Sequence, residues 1–361
     1  MIYNTDIHYM SAALSMAQRG LGRVWPNPSV GCVVVKKSVI LASARTADGG
    51  RPHAETIALE KAGRAAKGAS VYVTLEPCAH EGQTPPCTKA LIDAGVRRVV
   101  IGARDVDPRV SGAGVRLLQE AGIDVHVGVL EKECKAMNAG FFLKMQKKRP
   151  LVTLKTACSL DGKVALKNGK SQWITGDLAR RHVHLLRARH DAVLCGIGTV
   201  LADDPCLTAR FDGIDHRPVR VVLDGDLETP LDSRLVKTAR DVPLWLFHIA
   251  MSEEKERSLA KKGVRLFCVQ EKAIAPILTI LAEEGMTCIM VEGGRRIHTA
   301  FLKEGFCDAL YLYRAPCVLG GDGLSAFGAM DIEDLAQRHN LSLQKTRRLG
   351  QDSLEIYGMS G

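Results

Sequence analysis

Four side chains in the first quarter of the sequence have the types and spacing for metal-assisted proton chemistry. His53 and Glu55 flank one alanine in RPHAET (Arg51–Thr56), and Cys78 and Cys87 follow in LEPCAHEGQTPPC (Leu75–Cys87). One imidazole and two thiolates make three protein ligands for a tetrahedral divalent metal and leave the fourth position to water. That is the catalytic pattern; structural zinc sites are closed by four ligands. A metal held this way brings the pKa of its water towards neutrality. Glu55, next to a ligand but better used as a proton carrier, can move a proton from water to a leaving amine. Cys87 follows Pro85–Pro86 at an expected helix start, where the positive end of the dipole favours thiolate. The spacing departs from the usual deaminase pattern, in which H-x-E is followed by P-C-x-x-C. Here eight residues separate the cysteines, and Pro85–Pro86 would stiffen the longer loop. A Cys78–Cys87 disulfide is the competing arrangement, disfavoured in a reducing compartment. His80 suits a structural hydrogen bond as well as a substrate contact.

Two alternating series of strands and helices must position such residues. The first opens with an amphipathic helix near Asp6–Arg19. Strand-like runs follow at Val30–Val35, Val39–Ala44, Val71–Leu75, Val99–Ala103 and Val125–Val129. Helices are expected from Ala54, from Cys87–Thr88 and near Gly114. The pairs Ala62–Gly63, Ala94–Gly95 and Ala121–Gly122 read as helix ends with a left-handed glycine cap. That alternation predicts a three-layer α/β domain. The polar, basic KMQKKRP (Lys144–Pro150) reads as a linker, with domains at 1–148 and 149–361. Strands of the second series are expected at Leu151–Thr156, Ala192–Cys195, Val219–Leu223, Leu244–Phe247, Val264–Val269, Cys288–Val291, Leu310–Tyr313 and Leu354–Tyr357. Most are apolar on both faces, as in a sheet covered by helices.

The second half carries weaker chemical signals. GIGTVL (Gly196–Leu201) and GDGLSA (Gly321–Ala326) lack the full dinucleotide fingerprint and read as turns. KTACSLDGK (Lys155–Lys163) runs a strand into an exposed turn, and SQWIT (Ser171–Thr175) sets a lone tryptophan among hydroxyls. GTVLADDPCLTAR (Gly198–Arg210) pairs Asp203 with Asp204. IMVEGG (Ile289–Gly294) ends a strand in a carboxylate and two glycines, where a phosphate can approach backbone N–H groups. Each has a plainer alternative: Trp173 as core, the aspartates as a solvated turn or cap, Glu292 as a surface strand end.

With 361 residues, 46% hydrophobic and 25% charged, the chain reads as a two-domain globular protein. No apolar run approaches the roughly 18 residues of a membrane helix, and the N-terminus lacks the order of a secretory signal. Eleven cysteines, an odd number scattered through a long chain, read as reduced thiols of a cytoplasmic protein, some of them metal ligands. The net charge of +9 is uneven: residues 1–150 hold 21 Lys+Arg against 13 Asp+Glu, and the remainder 28 against 27. A basic first half suits an anionic partner, phosphorylated metabolite or nucleic acid; simple solubility explains it equally well.

PNPSVGCVVV (Pro26–Val35), GGRPHAE (Gly49–Glu55) and the long TPPC-ending cysteine loop together resemble the deaminase half of the bifunctional riboflavin-biosynthesis deaminase/reductase family. The second-half motifs jointly resemble its reductase half, so the likeness covers nearly the whole chain. The resemblance implies a cytidine-deaminase-like domain followed by a dihydrofolate-reductase-like α/β domain. It implies zinc on His53, Cys78 and Cys87, Glu55 as proton shuttle, and Asn27 on the pyrimidine. It implies NADPH on Ala157, Trp173, Thr199, Asp203 and the loop Gly294, Arg295, Arg296, Ile297, His298, Thr299, Ala300. Substrate contacts map to Ser171, Arg187, Leu207, Arg210 and Glu292, with Lys155 near the reacting carbon. Arg187 and Arg210 suit the substrate phosphate. Gln83, Thr46 and Gly225 stand where relatives often have a base, a histidine and a serine. The implied reactions are hydrolytic deamination of 2,5-diamino-6-(5-phosphoribosylamino)pyrimidin-4(3H)-one, then NADPH-dependent reduction of the ribosyl side chain of 5-amino-6-(5-phosphoribosylamino)uracil to ribityl. The expected partner is that small pyrimidine ribosyl phosphate, with no nucleic acid or membrane, in a homo-oligomer. The alternative is a nucleic-acid base deaminase with an appended binding module, which the basic first half favours and the scarcity of aromatics (5%) opposes.

Overall fold

Met10, Ala13, Leu14 and Ala17 recur at three- and four-residue intervals and are all buried, so the first segment folds as an amphipathic helix, α1 (Asn4–Gln18). The computed structural model of the protein describes residues 4–82, 85–107, 111–211, 213 and 216–359; Gln83 lies outside them. The chain forms two compact units, the first Met1–Arg149 with Glu284–Thr287, the second Pro150–Glu283 with Cys288–Gly361.

In the first unit the strands are β1 (Gly31–Lys36), β2 (Val39–Arg45), β3 (Ser70–Leu75), β4 (Arg98–Ala103) and β5 (Asp124–Val127). Between and after them lie α2 (Ala54–Ala62), α3 (Cys87–Asp93), α4 (Ala113–Glu120), α5 (Glu131–Met137) and α6 (Ala139–Lys147). The sheet order is β2-β1-β3-β4-β5, with β1 antiparallel to both neighbours and β3, β4 and β5 parallel. Helices α1 and α5 pack together against the sheet, while α2, α3 and α4 form a second contiguous layer. The valines of β1 and β3 are buried, as expected of a sheet covered by helices. Asp6 ties α1 to the sheet: buried, it takes both arms of Arg98 (2.8 and 3.1 Å) and the Tyr72 hydroxyl (2.9 Å).

The second unit is built on β6 (Leu151–Cys158), β8 (Ala192–Gly196), β9 (Val219–Leu223), β10 (Leu244–His248), β11 (Val264–Cys268), β12 (Cys288–Val291), β13 (Ala309–Arg314), β15 (Leu341–Leu349) and β16 (Asp352–Met359). Their order is β11-β10-β9-β8-β12-β6-β13-β16-β15, parallel from β11 to β13, with an antiparallel β15–β16 ribbon at one edge. A small second sheet pairs β7 (Lys163–Ala165) with β14 (Leu324–Ser325). The helices are α7 (Asp177–Ala188), α8 (Ile197–Asp203), α9 (Arg234–Lys237), α10 (Glu253–Lys261), α11 (Ile274–Glu283) and α12 (Arg295–Lys303).

Three expectations need correction. Lys144–Lys147 are no linker but the last turn of α6, which ends at Lys148 in a left-handed conformation. Lys and Gln read as polar, yet with Met they are unbranched and favour helix, and the buried Phe142 holds the preceding turn down. Ala62–Gly63 is not a left-handed cap either: Gly63, at φ 53° and ψ −140°, leads into a 3₁₀ turn over Gly63–Ala66. GIGTVL is not a turn but the junction from β8 into α8. The expected sequence pattern also left out β7, β14 and β15; β15 is exposed on both faces from Ser342 to Arg348, so no apolar alternation marks it.

Candidate active sites

Two adjacent connections of the first sheet bring the metal-type residues together. The chain leaves β2 through a tight passage in which Gly50 takes φ 86°, and a Cβ there would fall 2.6 Å from Asn27 Nδ2 and 2.7 Å from the Val24 carbonyl. This glycine sets His53 at the N-cap of α2 and Glu55, 3% exposed, in its first turn. Cys78 follows β3, and Cys87 opens α3, its backbone N–H reaching the Cys78 sulfur at 3.3 Å. His53 Nδ1 lies 3.3 Å from Cys87 Sγ and 3.6 Å from Cys78 Sγ. The three donor atoms fall within 4.8 Å of one another, the only such cluster among the described residues. Ligands about 2.0–2.3 Å from a tetrahedral zinc lie at just this kind of separation, so the donor set fits the metal.

The electrostatics agree. Cys78 is pulled down to about 4 because it accepts hydrogen bonds from Cys87 and His53, whereas Cys87, the donor to it, is pushed up. Contact with Cys78 raises His53. Burial raises Glu55, against the pull of His53. Two thiolates side by side repel unless a cation lies between them, which is why such a triad suits a divalent metal. Both cysteines are free, and no disulfide joins the described residues.

A cavity of about 420 Å³ opens on this cluster. Asn27 lines it and donates to the Gly50 carbonyl at 2.7 Å. Thr46 also lines it, but its hydroxyl is engaged: Oγ1 accepts from Val30 N at 3.0 Å and donates to the Pro28 carbonyl at 3.2 Å. His80 Nδ1 is buried at the cavity without a protein partner among the described residues, an orphan that a ligand would satisfy. Sequence reasoning missed Asp105 and Asp107, which line the same space from the loop after β4. Burial pushes Asp105 up to about 6. Glu76 holds their loop by accepting the backbone N–H groups of Asp105 (3.3 Å), Gly112 and Val115 (both 3.2 Å). Lone acids in a loop carry no spacing signal; only Glu76, beside Pro77–Cys78, stood near a recognised motif.

In the second unit, Lys155 in the middle of β6 and Glu292 just past the carboxyl end of β12 meet across neighbouring parallel strands. The β6–β12 register pairs Leu154 with Val291, so the next residue of each falls side by side. Lys155 Nζ is 3.6 Å from Glu292 Oε2. Arg187 of α7 grips the same carboxylate with Nε and with Nη2 (2.9 Å), and its Nη1 donates to the Thr208 carbonyl at 3.0 Å. The plain surface role for Glu292 is therefore wrong: its side chain is only 10% exposed. Burial alone would raise its carboxyl, but Arg187 and Lys155 outweigh it and hold the pKa near 2. Burial lowers Lys155, with Glu292 pulling the other way. The Arg187–Glu292 pairing, across 105 residues of sequence, had no local signal.

Other expected residues fall around this core. Gly294 caps the N-terminus of α12, so Arg295, Arg296, Ile297, His298, Thr299 and Ala300 form its first turns. A Cβ on Gly196 would strike Ile297 at 2.7 Å, and one on Gly294 would come within 4.0 Å of Thr199 Oγ1. The starts of α8 and α12 are thus neighbours at the ends of adjacent strands, the usual place for a ligand in a parallel sheet. Asp203 closes α8, and Asp204 accepts the Arg234 N–H at 2.8 Å, so the aspartate pair ends one helix and braces another. Ala157 lies further along β6 and packs beside Tyr313. Leu207 is buried with a positive φ of 52°, and Arg210 is exposed. Trp173 is not core: it is 69% exposed, with the Arg180 guanidinium 4.5 Å from its ring centre. Ser171 sits two residues before it on the loop leading to α7. Gly225 gives its carbonyl to the N–H groups of Ile249 and Ala250. No described helix is long and apolar enough to cross a membrane.

Comparison with known proteins gives matching results. Residues 150–354 match the RibD C-terminal domain, and residues 3–103 match the cytidine and deoxycytidylate deaminase zinc-binding region. The riboflavin biosynthesis protein RibD of Aquifex aeolicus is 43% identical over 98% of both chains, and that of Escherichia coli is 39% identical over 96% of this chain and 97% of its own. Among solved structures, Acinetobacter baumannii RibD superimposes with a TM-score of 0.89 at 37% identity, covering 99% of each chain. A Thermotoga maritima diaminohydroxyphosphoribosylaminopyrimidine deaminase/5-amino-6-(5-phosphoribosylamino)uracil reductase gives 0.88 at 35% identity, also over 99% of each. A zinc-binding deaminase domain and a reductase domain on one polypeptide, similar to these relatives end to end, place the chain in the RibD family of bifunctional riboflavin-biosynthesis enzymes.

Proposed function

We propose that residues 1–148 deaminate 2,5-diamino-6-(5-phosphoribosylamino)pyrimidin-4(3H)-one and that residues 149–361 reduce the resulting 5-amino-6-(5-phosphoribosylamino)uracil with NADPH. The observation that carries the proposal is the His53–Cys78–Cys87 cluster, with buried Glu55, in one cavity. The substrate names come from the Thermotoga relative. His53, Cys78 and Cys87 would hold zinc, which supplies an acidified water when bound. Glu55, shielded from solvent by its burial, would hold a proton beside the metal ligands and pass it to the departing amine. Asn27 and the orphan Nδ1 of His80 orient the pyrimidine edge.

In the reductase unit NADPH supplies hydride, and the protein's part is to place it. Gly294–Ala300, Thr199, Asp203, Ala157 and Trp173 form its seat. The support is the paired helix starts after β8 and β12 and the exposed Arg295 and Arg296, which suit phosphates. Lys155 and Glu292 stand at the reacting ribose carbon. Burial disposes Lys155 to release a proton while Glu292 keeps it charged until then. Leu207, Ser171 and Arg210 face the remainder of the substrate. Arg210 is the arginine available for the phosphate, since Glu292 and Thr208 occupy the fork of Arg187.

A nucleic-acid deaminase with an appended binding module is not favoured, because the second unit matches a reductase domain. The exposed edge strand β15 supports assembly into a homo-oligomer, which light scattering would measure. Free cysteines throughout the described chain support a cytoplasmic location. The deciding experiment incubates the pure protein with the diaminopyrimidine phosphate and follows ammonia and NADPH separately. Ammonia should appear without NADPH, and NADPH should be consumed only after ammonia is released. Ammonia without any later NADPH consumption would sink the two-step assignment.

A further inference from the structure

His184, on α7 one turn before Arg187, takes part in neither reaction as derived above, yet it sits against the segment 207–210. Its Nδ1 lies 3.2 Å from the Arg210 backbone nitrogen, 3.2 Å from the Thr208 carbonyl and 3.5 Å from Arg187 Nη1. These three contacts are not equivalent. The Thr208 carbonyl already has a donor, Arg187 Nη1 at 3.0 Å. Arg210 N–H has His184 Nδ1 as its acceptor. One tautomer satisfies every group: the neutral ring protonated at Nε2, with Nδ1 accepting from Arg210. Burial and the nearby cations Arg187 and Arg210 lower the imidazole's pKa and keep it in that neutral state.

The segment needs such a hold. Leu207, buried and branched, sits at φ 52°, a left-handed conformation unfavourable for a residue with a Cβ that persists only where the surroundings over-determine it. Arg187 fixes the backbone one residue after Leu207 and His184 fixes it three residues after, so the strained residue is clamped from a single helix.

We propose that His184 is a positioning residue of the reductase site: by accepting the Arg210 N–H it holds the strained Leu207–Arg210 segment in the shape that receives the substrate. The proposal rests on the assignment of Leu207 and Arg210 to substrate binding. It acts on binding, so its mark is a change in KM and in substrate Kd, with kcat little altered. Binding of 5-amino-6-(5-phosphoribosylamino)uracil is measured by calorimetry without NADPH, and its reduction by NADPH oxidation. His184→Ala should weaken Kd and raise KM about five- to tenfold, the scale of one lost hydrogen bond. His184→Asn, whose Oδ1 falls where Nδ1 was, should restore both to within about twofold. The retained kcat of NADPH oxidation shows that the second unit is folded, and ammonia release by the same variants should equal that of the unaltered protein. An unchanged Kd in His184→Ala, or an Asn variant as weak as the Ala variant, overturns the proposal. If the unaltered protein neither binds nor reduces the uracil phosphate, the assignment of the reductase site fails and takes the proposal with it. Tight binding by the unaltered protein with no effect of His184→Ala removes the proposal alone.

Discussion

The two sites of this chain keep ionised groups below the surface by opposite means. In the first unit the acidic groups cluster: two cysteines and Glu55 surround His53, and their mutual repulsion calls for an external cation. In the second the counter-charges are built in, with Arg187 and Lys155 closing on Glu292. A site of the first kind is balanced only by a cation from outside the chain. The second is balanced within the polypeptide, so the two should respond differently to the same insults.

Glu55→Gln should separate them most sharply. Ammonia release should fall by about 10²–10⁴-fold, zinc content should stay near one per chain, and NADPH oxidation with the uracil phosphate should be unchanged. A variant that keeps releasing ammonia would remove Glu55 from the chemistry. Chelation should produce the same split with a different cause: ammonia release lost, restored by added zinc, and the reductase rate untouched. Reductase loss on chelation would mean that the second site is not self-sufficient.

Glu292→Gln reverses the pattern. It leaves Lys155 and Arg187 buried without their anion, and breaking such a pair costs about 3–5 kcal/mol. Calorimetry should show that loss in an unfolding transition, while ammonia release survives below that temperature. The same residue gives an acid window. Its folded pKa, near 2, lies below the ordinary carboxylate value of about 4.3, so its stabilisation is present above pH 4 and drains away towards pH 2. The gap between unaltered and Glu292→Gln protein should therefore be constant from pH 7 to 5 and narrow as pH drops below 4. A gap that widens there would contradict the pairing. The smallest effect is expected at Thr46→Val, which removes the acceptor of Val30 N–H: about 1–2 kcal/mol of stability, with the zinc cluster intact. An unchanged melting temperature would show that Thr46 does not brace the entrance to β1.

The sequence revealed these two regions to different depths, for physical reasons. Strands buried on both faces, such as β8 and β12, announce themselves as short apolar runs. β15 does not, because both of its faces meet solvent. The deaminase ligands come as local motifs, since consecutive backbone segments deliver them. The reductase cluster joins β6, α7 and β12, and nothing at Lys155 or Arg187 announces its partner. Lys144–Lys147 misled because a helix's exposed last turn and a basic linker draw on the same residues. Asp105 and Asp107 stayed hidden because the element that aims them, Glu76, works through backbone N–H groups that any residue supplies.

The cluster of Lys155, Arg187 and Glu292 does not add up to neutrality. Two cations face one carboxylate, so folding leaves one uncancelled positive charge beneath the surface. Such a charge sits where mobile salt ions screen poorly. An anionic ligand that reaches it completes a lattice the polypeptide left one ion short. Its attraction should persist at salt concentrations that erase the pull of the first unit's scattered surface lysines and arginines.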